Sequence, residues 1–133
     1  MAYASALGRN PEAVYRQVDV VGRTEAAGDG AGLVGLLYAE LVRALRAAAH
    51  AADRRNFSRK SDRVTRATAI LYALEAGLDF EGGGQLSRTL AGLYAGARRQ
   101  VIAASLGHDP RPFREVAASM EEIAGAWASV RAG

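Results

Sequence analysis

The stretch GLVGLLYAELVRALRAAAHAAD, residues 32–53, decides the fold of this chain. Its apolar residues recur at intervals of three or four, which aligns them along one face of an α-helix. This face consists of Leu33, Leu37, Leu41, Leu45, Ala48 and Ala52. The periodicity predicts a long amphipathic helix over about residues 31–54, which must bury its apolar face against other elements.

Three further stretches repeat the pattern, and clusters of glycine or proline separate them. The helix predicted over about residues 58–78 has an apolar face of Val64, Ala67, Leu71, Leu74 and Leu78. The next helix is predicted to begin after the glycines at 82–84 and to bury Leu86, Leu90, Leu93, Ala97 and Val101. The last helix repeats Phe113, Val116, Met120, Ile123, Trp127 and Val130. Because Trp127 lies at a seam position of this repeat, we expect it to be largely buried.

No stretch alternates as a strand does, so the predicted fold is all-α, an antiparallel four-helix bundle. Asn10 is a suitable N-cap and Pro11 a suitable first residue for a short additional N-terminal helix over about residues 11–22. We predict a single helical-bundle domain over 1–133, with a flexible tail and the short helix in 1–22 and the bundle in 30–131. Because a short, valine-rich helix is marginally stable alone, we expect it to dock on the bundle as a removable cover; the alternative is a permanently packed accessory helix.

Composition limits the classes of function. The chain has 133 residues, a formal net charge of +3 and no cysteine, which excludes disulfides, thiolate metal sites and cysteine nucleophiles. No apolar run approaches the roughly 20 residues that span a bilayer. The first ten residues lack the pattern of a secretory signal. We therefore expect a cytoplasmic (cytosolic) protein that does not insert into membranes.

Motifs that would carry catalysis are missing from the sequence. The Glu-x-x-His pairs of a di-iron bundle do not occur, because neither His50 nor His108 has a glutamate three residues before it. The glycines at 82–84 lack the Gly-Lys-Ser/Thr ending of a phosphate loop, and they predict a turn between helices instead. We expect no catalytic residue, no metal site and no cofactor, and hence no enzyme.

The densest basic stretch begins at Arg54-Arg55 and continues through Arg59, Lys60, Arg63 and Arg66. Such a stretch is either a solvated helix face or a surface for an acidic partner. Acidic residues are interspersed with the basic ones along the chain, which disfavours nucleic-acid binding but leaves it as an alternative.

One stretch is more specific than generic bundle sequence. Leu78-Asp79-Phe80-Glu81-Gly82-Gly83-Gly84-Gln85 is followed by Leu90-Ala91-Gly92-Leu93-Tyr94 and by Arg98-Arg99. It resembles the FliS family of flagellin export chaperones, whose members carry a Leu-Asp-x-Glu-x-Gly-Gly turn, then Asn-Leu-x-x-Leu-Tyr and a paired arginine. Leu36-Leu37-Tyr38 resembles another family element, and Tyr15 with Gln17-Val18 resembles the opening segment. The resemblance runs from about residue 14 to residue 127.

The resemblance implies a function. Such a protein would bind the C-terminal helical segment of flagellin in the cytoplasm, prevent premature polymerisation and deliver the subunit to an export-gate component of the flagellar type III secretion apparatus. The flagellin-binding residues that it implies are Val14, Tyr15, Val18, Leu36, Tyr38, Leu90, Leu93 and Tyr94. It implies no catalytic residue and no cofactor. The alternative is a basic helical bundle that binds nucleic acid or another helical protein partner.

Overall fold

The computed structural model describes residues 30–132, which contain four α-helices and no strand. The helices are α1 (Gly30–Asp53), α2 (Phe57–Ala76), α3 (Phe80–Ala104) and α4 (Arg111–Ala132). The all-α prediction is therefore confirmed for this part of the chain. The short helix predicted over 11–22 lies outside the described residues, as do residues 23–29.

The four helices form a closed ring of contacts. α1 packs against α2 and α4, and α3 packs against the same two helices. Between α1 and α3, and between α2 and α4, no Cα atoms of the described residues approach within 8 Å. Each helix therefore has two neighbours and one diagonal partner, which is the arrangement of a four-helix bundle.

The core is built around α1. Every residue of its predicted apolar face is buried, which confirms the prediction for this helix. Most of the predicted faces of α2 and α4 are buried as well, at Val64, Ala67, Leu71, Leu74, Phe113, Val116 and Met120. Leu78 lies beyond the end of α2, and its half-buried side chain packs against this core. The many alanines of α1 allow the neighbouring backbones to approach closely.

The predicted face of α3 is partly wrong. Leu86 and Leu93 are exposed rather than buried, and the buried residues are Ser87, Tyr94, Ala97 and Val101. The predicted Ala97 and Val101 are buried, but before them the inward face is shifted by one residue to Ser87 and Tyr94, whose polar atoms both find hydrogen-bond partners inside the molecule. Apolar periodicity alone would not select an inward face that carries two hydroxyl groups.

The start of α3 also differs from the prediction. The helix begins at Phe80, before the glycines, and Asp79 is its N-cap. Gly84 interrupts the helical geometry with φ 53° and ψ −124°, a conformation that favours glycine. One helical turn therefore precedes the bend, and the glycines lie inside the element instead of in front of it.

Trp127 is not largely buried. Its side chain keeps 37% of its full exposure, and every residue from 125 to 129 is exposed. Burial along α4 is complete at Met120 and partial at Ile123 and Ala124. Helical periodicity predicts which face of α4 points inward. It does not predict the residue of α4 at which packing against the neighbouring helices ends.

Candidate functional site

An exposed apolar surface of the described residues lies along α3. Leu86, Leu90 and Leu93 are spaced by four and then three residues, so they lie on one side of the helix. Leu86 keeps 65% of its exposure and Leu93 keeps 46%, whereas Leu90 is half-buried against the core. We call these three residues the α3 face. Leucines aligned at helical spacing on a surface are typical of a site where another helix packs.

The turn before α3 determines how this face is presented. The Gly82 amide donates to Asp79 Oδ1 at 2.9 Å, and Ser87 Oγ donates to the Asp79 carbonyl oxygen at 2.7 Å. A Cβ atom at Gly83 would lie 2.0 Å from Ser87 Oγ, so only glycine leaves room for that hydrogen bond. Asp79 thus connects both sides of the bend at Gly84, which fixes the rotation of α3 and the side on which its leucines lie.

A buried tyrosine pair joins the two helices on the diagonal of the bundle. The hydroxyl groups of Tyr38, on α1, and Tyr94, on α3, form a hydrogen bond in the core. Burial raises the pKa of each phenol above its ordinary value of about 10, so both are neutral at physiological pH. Because the α1 and α3 backbones do not touch, this hydrogen bond connects them through side chains alone.

Arg98 fixes α3 against α2. Its guanidinium carbon lies 4.2 Å from the centre of the Tyr72 ring, and the side chain forms an ion pair with Glu75. The arginine side chain is largely buried, and that of Glu75 is half-buried. Arg99, the second member of the arginine pair, is exposed on the outside of α3.

The structure separates the predicted site residues into three groups. Leu36 and Leu93 are exposed and Leu90 is half-exposed, so a ligand could contact them directly. Tyr38 and Tyr94 are buried and lie beneath the surface. Three residues, Val14, Tyr15 and Val18, fall outside the described residues.

Leu86 is a surface residue that sequence reasoning assigned to the core. The signal that identifies it is the seven-residue spacing of Ser87, Tyr94 and Val101, which marks a second inward face next to the leucines.

The residues considered for other chemistry are not assembled into a site. His50 and His108 are both exposed, and His108 lies beside Phe57. In the part of the chain from 30 to 132, no three histidine or carboxylate residues are grouped so that they could hold a metal ion. None of the four helices is long and apolar enough to cross a membrane.

The described residues define an all-helical bundle protein with an exposed leucine face, a surface that is typical of helix-binding proteins. Comparison with known proteins identifies its family. Residues 12–133 match the family described as flagellar protein FliS, so the chain belongs to the FliS family of flagellar secretion chaperones.

Two relatives illustrate the similarity. The flagellar secretion chaperone FliS of Vibrio cholerae is 28% identical over 113 residues, which cover 85% of this chain and 82% of the relative. The protein of the same name from Salmonella typhimurium is 33% identical over 72 residues, which cover 53% of each chain. The family is one of chaperones and not of catalysts.

Proposed function

We propose that this protein binds the C-terminal helical segment of flagellin in the cytoplasm, prevents its premature polymerisation and assists its export. Family membership supports a chaperone role in flagellar export. The observation that carries the proposal is the α3 face, because Leu86 and Leu93 offer apolar side chains that a client helix can cover. After loading, the complex would engage an export-gate component of the secretion apparatus.

The proposed surface includes part of the predicted set. Leu90 and Leu93 contact the client, and Leu86 joins them. Leu36 is exposed on α1, diagonally across the bundle from α3, and it remains assigned to flagellin binding on the basis of the resemblance. Tyr38 and Tyr94 act from below, because their hydrogen bond holds α3 at a defined distance from α1. Val14, Tyr15 and Val18 remain assigned to flagellin binding on the basis of the resemblance.

We also propose that neighbouring helices run antiparallel within one domain over 1–133. The segments that connect consecutive helices have three, three and six residues. Short connections of this kind favour antiparallel neighbours, because a parallel pair needs a crossover as long as the helix itself. In this arrangement the bundle occupies 30–131.

A binding assay tests the flagellin proposal. We expect the chain to co-purify with full-length flagellin but not with flagellin that lacks about forty C-terminal residues, a length sufficient for two or three helices. The variant Leu93→Ser should weaken binding about tenfold, because it removes an apolar side chain from the α3 face. Leu106→Ser, which changes an exposed leucine elsewhere on the surface, is the matched control and should bind normally.

Equal recovery of full-length and truncated flagellin would contradict the proposed segment. Equal affinity of Leu93→Ser and the unchanged protein would contradict the proposed surface. Circular dichroism of both variants checks that each keeps its helical content, so that loss of binding is not confused with loss of folding.

A further inference from the structure

The excess positive charge of the described residues is concentrated in two segments. Residues 53–60, which lead from α1 into α2, contain four basic side chains and one aspartate. Residues 106–114, which lead from α3 into α4, contain two arginines and one aspartate. The other residues between 30 and 132 comprise eight basic and eight acidic side chains, so they are formally neutral.

The two segments touch and form one surface. Lys60 is buried, and its Nζ atom donates to the Gly107 carbonyl oxygen at 2.8 Å. The rings of Phe57 and His108 lie with their centres 4.8 Å apart. We call this surface the basic end. It consists of Arg54, Arg55, Phe57, Arg59, Leu106 and His108.

The basic end also exposes apolar side chains. Leu106 keeps 87% of its exposure and Phe57 keeps 53%. Ile102, also exposed, precedes Leu106 by four residues near the end of α3. Single exposed leucines are common on protein surfaces, but here apolar side chains stand close to one another among arginines.

The arginines of this surface are available to a partner. The ion pairs of the described residues do not include Arg54, Arg55 or Arg59. The nearby carboxylate of Asp109 is already engaged, since it accepts from the Arg111 Nη2 atom at 2.9 Å. The local charge is therefore not neutralised within this part of the protein.

Arg55 has a backbone conformation that is unusual for an arginine. Its φ is 56°, and it follows α1 in a Schellman motif, with Asn56 N–H donating to the Ala51 carbonyl oxygen at 2.8 Å. Glycine or asparagine is favoured at this left-handed position, because other side chains clash with the backbone there. The arginine adds a cation at the expense of local stability.

We propose that the basic end binds an acidic, helix-forming segment of a second protein that also carries apolar side chains. Because the basic end is positively charged, it favours a partner that carries carboxylates. Its exposed leucine and phenylalanine favour a partner that also has an apolar stripe among those carboxylates. Nucleic acid fits less well, because only a few arginines are present and aspartates lie among them. Leu93 and Leu106 are separated by about 20 Å along the helix, so this partner and a client on the α3 face can bind together.

The test uses the full chain and four defined probes. The first is a 21-residue peptide of three Leu-Glu-Ala-Leu-Ala-Glu-Glu repeats, whose leucines form one stripe on a helix, and the second has lysine in place of every glutamate. The third is a 20-nucleotide single strand of dT, and the fourth is a synthetic peptide of residues 1–29 of this chain. We expect the acidic peptide to bind most tightly and its affinity to fall as salt is raised.

Variants separate binding from stability. Arg59→Gln should weaken binding of the acidic peptide about twofold to fivefold, whereas Arg88→Gln, which changes an exposed arginine near the start of α3, should leave it unchanged. Leu106→Ser should weaken it about tenfold, whereas Leu86→Ser should not affect it. Arg55→Asn should weaken binding and yet raise Tm by roughly 2–6 °C, because asparagine tolerates the left-handed conformation.

Several outcomes would overturn the proposal. One is equal affinity for the acidic and the basic peptide. Another is unchanged affinity for the acidic peptide in Arg59→Gln and Leu106→Ser. A third is tighter binding of the dT strand than of the acidic peptide. Preferential binding of the 1–29 peptide would assign the surface to the chain's own N-terminal segment. A change in sedimentation of the protein alone on Leu106→Ser would assign it to a second copy. The flagellin proposal has its own test, which compares full-length with truncated flagellin and uses Leu93→Ser.

Discussion

The backbone conformation of Gly84 produces the bend in α3. With φ 53° and ψ −124°, it separates the turn capped by Asp79 from the rest of the helix. Because this region of conformational space is nearly closed to residues with a Cβ atom, the effect depends on the backbone and not on contacts. A Cβ atom added at this position would meet no other atom within 4 Å.

We expect Gly84→Ala to lower the free energy of unfolding by about 1–3 kcal/mol, measured by urea denaturation. The matched control is Gly92→Ala, also in α3, where an added Cβ meets nothing within 4 Å. Because Gly92 is helical and exposed, the control should stabilise the protein by about 0.5–1 kcal/mol. A stabilising Gly84→Ala would show that the bend is not present.

The buried tyrosine pair predicts sensitivity to alkaline pH. In the unfolded chain each phenol ionises near pH 10, but burial raises the pKa of Tyr38 and Tyr94 in the folded protein. The unfolded state therefore releases protons that the folded state retains, and the stability present below pH 10 is lost as the pH rises above it.

Titration of tyrosine absorbance at 295 nm checks this expectation. Two of the five tyrosines should resist ionisation until the helical signal is lost. In the variant with Tyr38→Phe and Tyr94→Phe together, the loss of helix above pH 10 should be less steep. Ionisation of all five before any unfolding would contradict the buried pair.

At the scale of elements, α1 and α3 show what the sequence can and cannot predict. Every predicted core position of α1 is buried, because its apolar stripe is continuous and has no competing face. In α3, the leucine stripe lies beside a second stripe that includes Ser87 and Tyr94, and the second one turns inward. Its stabilisation comes from Tyr38, which lies 56 residues from Tyr94, and from the Asp79 cap, which is not part of the apolar pattern, so periodicity could not select it.

The helix boundaries and the site residues also show what a sequence pattern cannot predict. Four of the predicted helices are present within a few residues of their expected ends. The Asp79 turn was recognised from its motif, but the helical turn before Gly84 depends on cap geometry that a motif does not describe. Similarly, the resemblance implies both Leu93 and Tyr94 as site residues, but it does not predict that Leu93 is exposed and Tyr94 buried. That difference follows from the rotation of α3.

The exposed position of Trp127 changes its expected contribution to stability. Because the indole is only partly buried, Trp127→Ala should cost about 2 kcal/mol, less than the roughly 3–5 kcal/mol of a fully buried aromatic side chain. Met120→Ala, at a buried position on the same helix, should cost more despite the smaller side chain. Acrylamide should quench the single tryptophan readily. A larger loss of stability for Trp127→Ala than for Met120→Ala would refute this ranking.

At the scale of the whole molecule, the segment before the bundle can be tested by truncation. We expect deletion of residues 1–22 to leave the helices folded and to speed association with flagellin, because a marginal helix that covers the groove would be gone. Stopped-flow fluorescence measures the association rate, and circular dichroism measures the helical content.

Deletion of residues 1–9 is the control for this truncation. It removes residues before the expected N-cap Asn10 and should leave the association rate unchanged. If deletion of 1–22 unfolds the protein, or if the rate stays the same, the segment is not a cover.

The uneven distribution of charge gives the described part of the molecule an electric dipole moment. Its body is formally neutral, while the connections α1–α2 and α3–α4 carry the excess of arginine at one end. In the field of a negatively charged surface, such a molecule turns its positive end forward before contact, over a range of roughly 10 Å in physiological salt. The leucines of the α3 face then lie along the side of the molecule. A subunit bound to them would therefore approach the negatively charged surface in one orientation.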